Sequence, residues 1–293
     1  MDLIKRSKCP FCSSIELSSL FKVKFEEKEI KNFLVNYYKN RFPIKLVSNK
    51  YYDLINCNDC SGIFQSYIPD EAFSNLLYNE IISDEESWLK KKNNENNTHK
   101  KYHRIFRLIK SLLQKDNSEI KILEFGAGWG VWSKFMTSLN FKVDTIEISN
   151  AKINFLKENN LKNYLKIEEL NSKYDLIYSE EVLEHLPLPR DTLFQLSKHL
   201  NSDGYMIHLF PSSYIFKLKL KFNYQPKKDC AHPLEHINLF SKECFEKMLN
   251  GSDLKISNLS YINNLNLIEN IKNIKNNYLF NQVILKKNKE IIF

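Results

Sequence analysis

From Ile120 onward the apolar residues of this chain fall into short continuous runs separated by stretches of helical spacing. A continuous apolar run reads as a strand buried on both faces, and apolar residues three and four apart read as a helix covering it. The pattern predicts strands over 121–125, 141–148, 164–167, 174–179, 205–210 and, near the end, 281–285. Helices are expected over 131–139, 150–159, 190–200 and 241–250, the last capped by Ser241 and ended by Gly251. Alternation of this kind implies a mainly parallel sheet with helices on both sides. Upstream, Tyr102, Ile105, Phe106, Ile109, Leu112 and Leu113 recur at helical spacing and predict a helix packed on that sheet. The stretch 83–98 is polar, with three consecutive lysines, and reads as a linker or a solvated helix with a frayed end.

The junction after the first strand carries the chemistry. Glu124-Phe125-Gly126-Ala127-Gly128-Trp129-Gly130 sets three alternating glycines between a strand and a helix. Glycine tolerates positive φ and lets backbone approach a bound small molecule. A dinucleotide fingerprint needs its third glycine at the sixth position, which here is Val131. The second strand ends in Asp144-Thr145-Ile146-Glu147, which puts an acid about 20 residues after the glycines, where open α/β folds hold a ribose. The fourth strand runs into Ser179-Glu180-Glu181-Val182-Leu183-Glu184-His185. Ligands of such sheets lie beyond the carboxyl ends of the strands, so this stretch borders the site.

Four of the six cysteines form two Cys-x-x-Cys pairs, Cys9/Cys12 and Cys57/Cys60. Two such knuckles complete a tetrahedral site, and four thiolates leave no open position, so the expected zinc is structural. Cys230 and Cys244 have no such spacing and read as ordinary thiols. The expected division is a zinc-binding module over 1–82, a linker and helix over 83–119, and a catalytic domain over 120–293.

The 293 residues, 43% of them hydrophobic and 27% charged, are ordinary for a globular protein. No apolar run approaches the roughly 20 residues that span a bilayer, and Met1 to Pro10 contains nothing like a signal peptide. The chain therefore reads as cytoplasmic. A formal charge of +8 favours acidic partners without choosing among them.

These motifs resemble those of class I S-adenosylmethionine-dependent methyltransferases, the broad family that includes ubiquinone-biosynthesis O-methyltransferases. The resemblance rests on 124–130, Glu147, Tyr174-Asp175-Leu176-Ile177, 181–186 and Asp203-Gly204 before a strand. It implies a Rossmann-like domain with a mostly parallel seven-stranded sheet. S-adenosylmethionine would be held by Glu124, Gly126, Ala127, Gly128, Trp129, Gly130, Glu147, Ile148, Ser179 and Glu180. Cys57–Cys60 with Ile63-Phe64-Gln65, Pro69 and Tyr78 is similar to the zinc module of sugar C-methyltransferases acting on nucleotide-linked deoxysugars. Those enzymes also carry a Glu-His pair before an aromatic-Ser stretch, as in Glu235-His236-Ile237-Asn238-Leu239-Phe240-Ser241. They have a further C-terminal domain, whereas this chain stops soon after its expected last strand, and 87–99 lacks their aromatic and serine pattern.

The expected acceptor is thus a sugar, nucleotide-sugar or surface-glycan intermediate. The alternative is O-methylation of a quinone, lipid or natural product. His236 is the first candidate base, with Glu235 as orienter or second base, and His185 the other candidate. An RNA methyltransferase is disfavoured, because 179–181 lacks the Asn/Asp-Pro-Pro-aromatic motif of base methylation. A binding module that keeps the fold without the reaction is the remaining rival. The lysine-rich stretch 214–228 reads as a solvated helix face, with a lid meeting phosphate as its other reading. Oligomeric state has no signature in the sequence.

Overall fold

A computed structural model describes residues 1–93, 95–213, 216–260 and 280–287, with the side chains of 95–98 and 280 left aside. In chain order the strands are β1 (Leu3–Lys5), β2 (Leu17–Lys24), β3 (Tyr51–Cys57), β4 (Ile63–Gln65), β5 (Tyr67–Pro69), β6 (Lys121–Phe125) and β7 (Lys142–Ile146). They continue with β8 (Lys162–Tyr164), β9 (Tyr174–Glu180), β10 (Leu200–Pro211), β11 (Asn238–Leu239), β12 (Leu254–Ile256) and β13 (Phe280–Lys287). The helices are α1 (Lys28–Tyr37), α2 (Glu71–Leu76), α3 (Asp84–Asn93), α4 (Glu95–Leu113) and α5 (Val131–Ser138). After them come α6 (Asn150–Glu158), α7 (Pro189–Lys198), α8 (Phe216–Leu220) and α9 (Lys242–Met248).

The seven-stranded sheet has the order β12-β13-β10-β9-β6-β7-β8. The contacts from β10 through β8 are parallel, and β13 runs antiparallel between β10 and β12. Its central strand β9 is buried for six consecutive residues, as a strand covered on both faces must be. One face packs on α4, where Tyr102, Ile105 and Ile109 meet Trp132, Met136 and Ile207. The third strand is displaced from its expected place. It pairs over Lys162–Tyr164, and Ile167–Glu169 forms a 3-10 turn instead. Three residues are too few for periodicity to locate.

The N-terminal lobe is a four-stranded antiparallel sheet of order β11-β4-β3-β2, with α1 and α2. Its edge strand β2 carries Lys22 and Lys24, which blunt edge pairing. The lobe is not built from the first 82 residues alone. Phe216, Tyr224, Ala231, Leu234 and Leu239 return from beyond β10 into its core, and β11 extends its sheet. Among the described residues no helix is long and apolar enough to cross a membrane.

Candidate active site

The glycine turn follows β6 with three left-handed residues, Gly126 at φ +74°, Gly128 at +55° and Gly130 at +59°. Two of them are glycine for steric reasons as well. A Cβ at Gly126 would stand 2.4 Å from Val182 and one at Gly130 2.3 Å from Leu156. At Gly128 a Cβ would meet nothing within 4 Å, so the middle of the turn opens onto free space. Glu147, at the end of β7, reaches that same point. One carboxylate oxygen accepts from the Gly128 N–H at 2.7 Å, and the other from Ile148 and Ser149 N–H at 2.9 Å each. Ile148 presents an apolar side chain that is 63% exposed. An open glycine, an anchored acid and an uncovered apolar side chain fit the adenosyl part of a methyl donor.

Other expected cofactor residues play supporting parts. Trp129 meets Trp88 of α3 and Phe155 of α6, and its ring N–H donates to Ser87 Oγ at 3.2 Å. Helix α3, which buries no residue of its own, is thereby pinned beside the turn. Ala127 N–H donates to Ile146 O, bracing the turn on β7. Ser179 is buried against His208, 2.7 Å from its Nδ1, and faces away from solvent. Glu180 accepts from Tyr178 OH at 2.9 Å and pairs with Lys101. Burial pushes its carboxyl up, but Lys101 and Lys91 outweigh that and hold it below its ordinary range.

Glu124 is buried, and one oxygen accepts both the N–H and the hydroxyl of Ser133. Burial pushes its carboxyl up to about 8. The folded state therefore keeps a proton that the unfolded chain gives up. Stability contributed by this group is present below the ordinary carboxylate range and declines as pH rises toward 8. Glu124→Gln should flatten that part of the stability-against-pH curve, measured by denaturant titration from pH 5 to 8. An unchanged slope would refute the assignment.

The second half of the site lies beyond β9. Glu181 sits at φ +55°, uncommon for a residue with a side chain, and its carboxyl is raised by burial and by Glu180. Its side chain is exposed at the carboxyl end of β9. Glu184 is buried with both carboxylate oxygens unbonded. Donor atoms of Glu184, His185 and His236 all lie within 4.8 Å of one another. Both histidines have their Nδ1 on a carbonyl, which fixes the tautomer. His185 Nδ1 donates to Glu235 O at 2.8 Å, with the Tyr78 hydroxyl at 3.1 Å. His236 Nδ1 donates to Asp229 O at 2.7 Å. Burial lowers both imidazoles below their ordinary range, so each presents an unprotonated Nε2 near neutral pH.

The turn carrying Glu235 and His236 is held by residues to which the sequence assigned no role at the site. Gln65 Nε2 donates to His232 O and His236 O, and its Oε1 accepts from Leu234 N–H. Arg6 donates to Gln65 O, Ile237 O and Asn238 Oδ1. Asn238 Nδ2 in turn reaches Leu186 O at 2.6 Å, tying this turn to the one bearing His185. Leu234 pays for the geometry with φ +69°. In the lysine-rich stretch, Phe216–Leu220 is a short helix with Lys217 and Leu218 exposed, while Tyr214 lies outside the described residues.

The four cysteines converge, with Cys9 and Cys60 sulfurs 3.6 Å apart, Cys12 and Cys57 3.5 Å apart, and all four within 4.8 Å. Each knuckle turns through a left-handed serine, Ser13 and Ser61. Four sulfurs this close suit a tetrahedral cation. Cys244, which the sequence left as an ordinary thiol, is buried against Cys60 and within the reach of a Gly62 Cβ (2.9 Å).

A family model described as a methyltransferase domain matches residues 98–259, more than half of the chain. The chain belongs to the methyltransferase-domain family. Its seven-stranded sheet is the class I, S-adenosylmethionine-dependent methyltransferase fold, preceded here by a cysteine cluster able to chelate a metal. The ubiquinone biosynthesis O-methyltransferase of Rickettsia conorii is 33% identical over 104 residues, which are 32% of this chain and 36% of that protein. The one from Nitrosomonas europaea is 28% identical over 116 residues, 34% of this chain and 49% of that protein. This methyltransferase thus spans less than half the length of those curated relatives. Among solved structures, the plantazolicin methyltransferase BpumL with SAH is 17% identical, with a TM-score of 0.46 over 68% of this chain and 90% of that one. Magnesium protoporphyrin IX methyltransferase from Synechocystis PCC 6803 is 14% identical, with a TM-score of 0.41 over 64% and 79%.

The relatives overturn the expected sugar, nucleotide-sugar or surface-glycan acceptor, since they are named for ubiquinone biosynthesis. The structure explains the error. That expectation rested on the cysteine module and on the run from Glu235 to Ser241. Much of both is architecture: a closed sulfur cluster, a strand pairing of Asn238 and Leu239 with β4, and a helix cap at Ser241. Such features do not specify an acceptor.

Proposed function

We propose that this protein transfers a methyl group from S-adenosylmethionine to a hydroxyl of a small molecule of the quinone, lipid or natural-product kind. One observation carries the reading. Two imidazoles with unprotonated Nε2 atoms, His185 and His236, stand beyond β9, and Val182 of the same turn packs on the Gly126 position of the methyl-donor cradle. The sulfonium supplies a methyl group already activated for in-line displacement. The chain's own groups then have two tasks, to hold the acceptor and to take its hydroxyl proton. His236 is the first choice for that proton and His185 the second, with Glu235 orienting them. The named function of the Rickettsia and Nitrosomonas relatives supports oxygen as the receiving atom.

In this reading Glu124, the 126–130 turn, Glu147, Ile148, Ser179 and Glu180 form or brace the donor side, and Cys9, Cys12, Cys57 and Cys60 hold a structural zinc. The module over 1–82, completed by residues that return from 216–239, and the helix-bearing segment 83–119 pack on the catalytic domain that begins at 120.

The test is incubation with methyl-labelled S-adenosylmethionine and a metabolite extract, followed by mass analysis of what gains label. His236→Ala should lower label transfer by about 100-fold, within the usual range for a general base, and His185→Ala by less. Donor affinity should stay intact in both. Equal turnover in wild type and both variants would place proton removal elsewhere.

A further inference from the structure

Glu235 is buried, and among the described residues one hydrogen bond holds its side chain. The Tyr38 hydroxyl donates to Glu235 Oε1 at 2.7 Å. Tyr38 lies at the C-terminal end of α1, 197 residues away along the chain, in the lobe whose core also takes in Leu234. Its ring leaves the hydroxyl little freedom. It stacks on Phe42 at 5.4 Å and 22°, lies parallel to His232 at 6.3 Å, and meets Tyr37 edge-on at 4.8 Å.

A second partner waits beside the same carboxyl. His232 Nδ1 stands 3.7 Å from Glu235 Oε1, too far for a hydrogen bond, and both ring nitrogens of this buried histidine are unbonded. The same oxygen thus has the Tyr38 hydroxyl as its bonded partner and the His232 ring nitrogen as the next one in reach. The choice matters for the reaction site. The Glu235 main chain holds His185 Nδ1, and the next residue is His236. Tyr78, also from the N-terminal part of the chain, stands at His185 in the same manner. A purely structural tyrosine looks different: Tyr52, equally buried, spends its hydroxyl on the Ala231 carbonyl.

We propose that Tyr38 is a positioning residue of methyl transfer, its hydroxyl holding the Glu235 carboxyl toward the acceptor side, so that the reacting groups are complete only with the N-terminal lobe docked. This rests on the acceptor-side reading of Glu235, His185 and His236. Groups facing the pair from the packed elements are Tyr37, Tyr78, His185, His232, Lys90 and Lys228.

Tyr38→Phe keeps the ring and removes only the hydroxyl. Infrared difference spectra of glutamate-labelled protein, with Glu235→Gln subtracted, isolate the Glu235 carboxyl band. That band should shift in Tyr38→Phe as its hydrogen bond moves to His232. Label transfer in the extract assay should fall about tenfold, the scale of one hydrogen bond to a charged or buried acid. The thermal shift produced by S-adenosylmethionine should not change. An unmoved band, or a moved band with full transfer, would overturn the proposal. A wild-type protein that labels nothing would strike the methyl-transfer reading itself, a result distinct from a Tyr38→Phe protein equal to wild type.

Discussion

Glu147→Ala should abolish the rise in thermal stability that S-adenosylmethionine gives the wild-type protein. Ligand binding to the folded state alone stabilises by about 2.7 kcal/mol at a hundred times the dissociation constant. In the proposed donor site Glu147 would accept the ribose hydroxyls, and hydrogen bonds to a charged group contribute about 1.5–3 kcal/mol each. Losing them lowers affinity by about 100-fold or more, which removes the shift at the same ligand concentration. The carboxylate also organises its own surroundings, since it gathers the N–H groups of Gly128, Ile148 and Ser149. Its removal frees the open middle of the glycine turn while β6 and β7 remain paired over five residues. The apoprotein should therefore unfold only slightly below wild type. Glu147→Gln, which keeps one acceptor oxygen, should fall between the two. A full ligand-induced shift in Glu147→Ala, read by differential scanning fluorimetry at matched ligand, would reject the donor site.

The parts of this fold legible in the sequence were those whose cause is local. The run from Ile122 to Gly130 announces a strand, a turn and a helix because burial and left-handed φ each select residue types at neighbouring positions. The two Cys-x-x-Cys pairs are legible for the same reason, as each knuckle is a local turn. What escaped was decided at long range or by few residues. Strand β11 is two residues long, and its partner β4 lies far earlier in the chain. Arg6, Gln65 and Asn238 sit among residues of other kinds, and nothing near them marks that they meet around the His236 turn. The left-handed Glu181 and Leu234 run against residue preference, and such strain has no trace in composition. Cys244 lacks spacing to the other cysteines and joins them only because α9 packs on the N-terminal lobe. The glycine turn and the candidate residues His185, Glu235 and His236 were thus readable one by one, whereas the long-range contacts that bring the last three together from both lobes were not.

That assembly sets the expected outcome of stripping the zinc proposed for the cysteine cluster. Cys9, Phe11, Cys57 and Cys60 share one apolar core with Leu123, Ile177, Phe210 and Phe245 of the catalytic sheet and its covering helices. Phe11, between the first two cysteines, contacts Phe64 and Phe240, and Phe240 contacts Phe210. Apparent binding free energies of structural zinc in small peptides are about 10–16 kcal/mol, as large as the whole stability of a domain, about 5–15 kcal/mol. Without a cation, the Cys60 contact and burial keep the Cys9 thiol protonated, the Cys244 contact and burial do the same for Cys60, and four crowded thiols do not replace the bonds they lose. Cys57→Ser, or exhaustive chelation, should unfold the N-terminal lobe at room temperature and carry the His236 turn with it, because β11 and the Arg6 and Gln65 bonds hang on that lobe. The midpoint of thermal unfolding should drop by more than about 10 °C, given roughly 2–4 °C per kcal/mol for a chain of this size. Methyl transfer should vanish, while the donor side, built from β6, β7 and α5, should bind S-adenosylmethionine more weakly and not lose it outright. Metal analysis of the purified protein should find one zinc per chain. A chelated protein that keeps its unfolding midpoint, or a preparation with no bound metal and full stability, would show that the four thiols pack as an ordinary core.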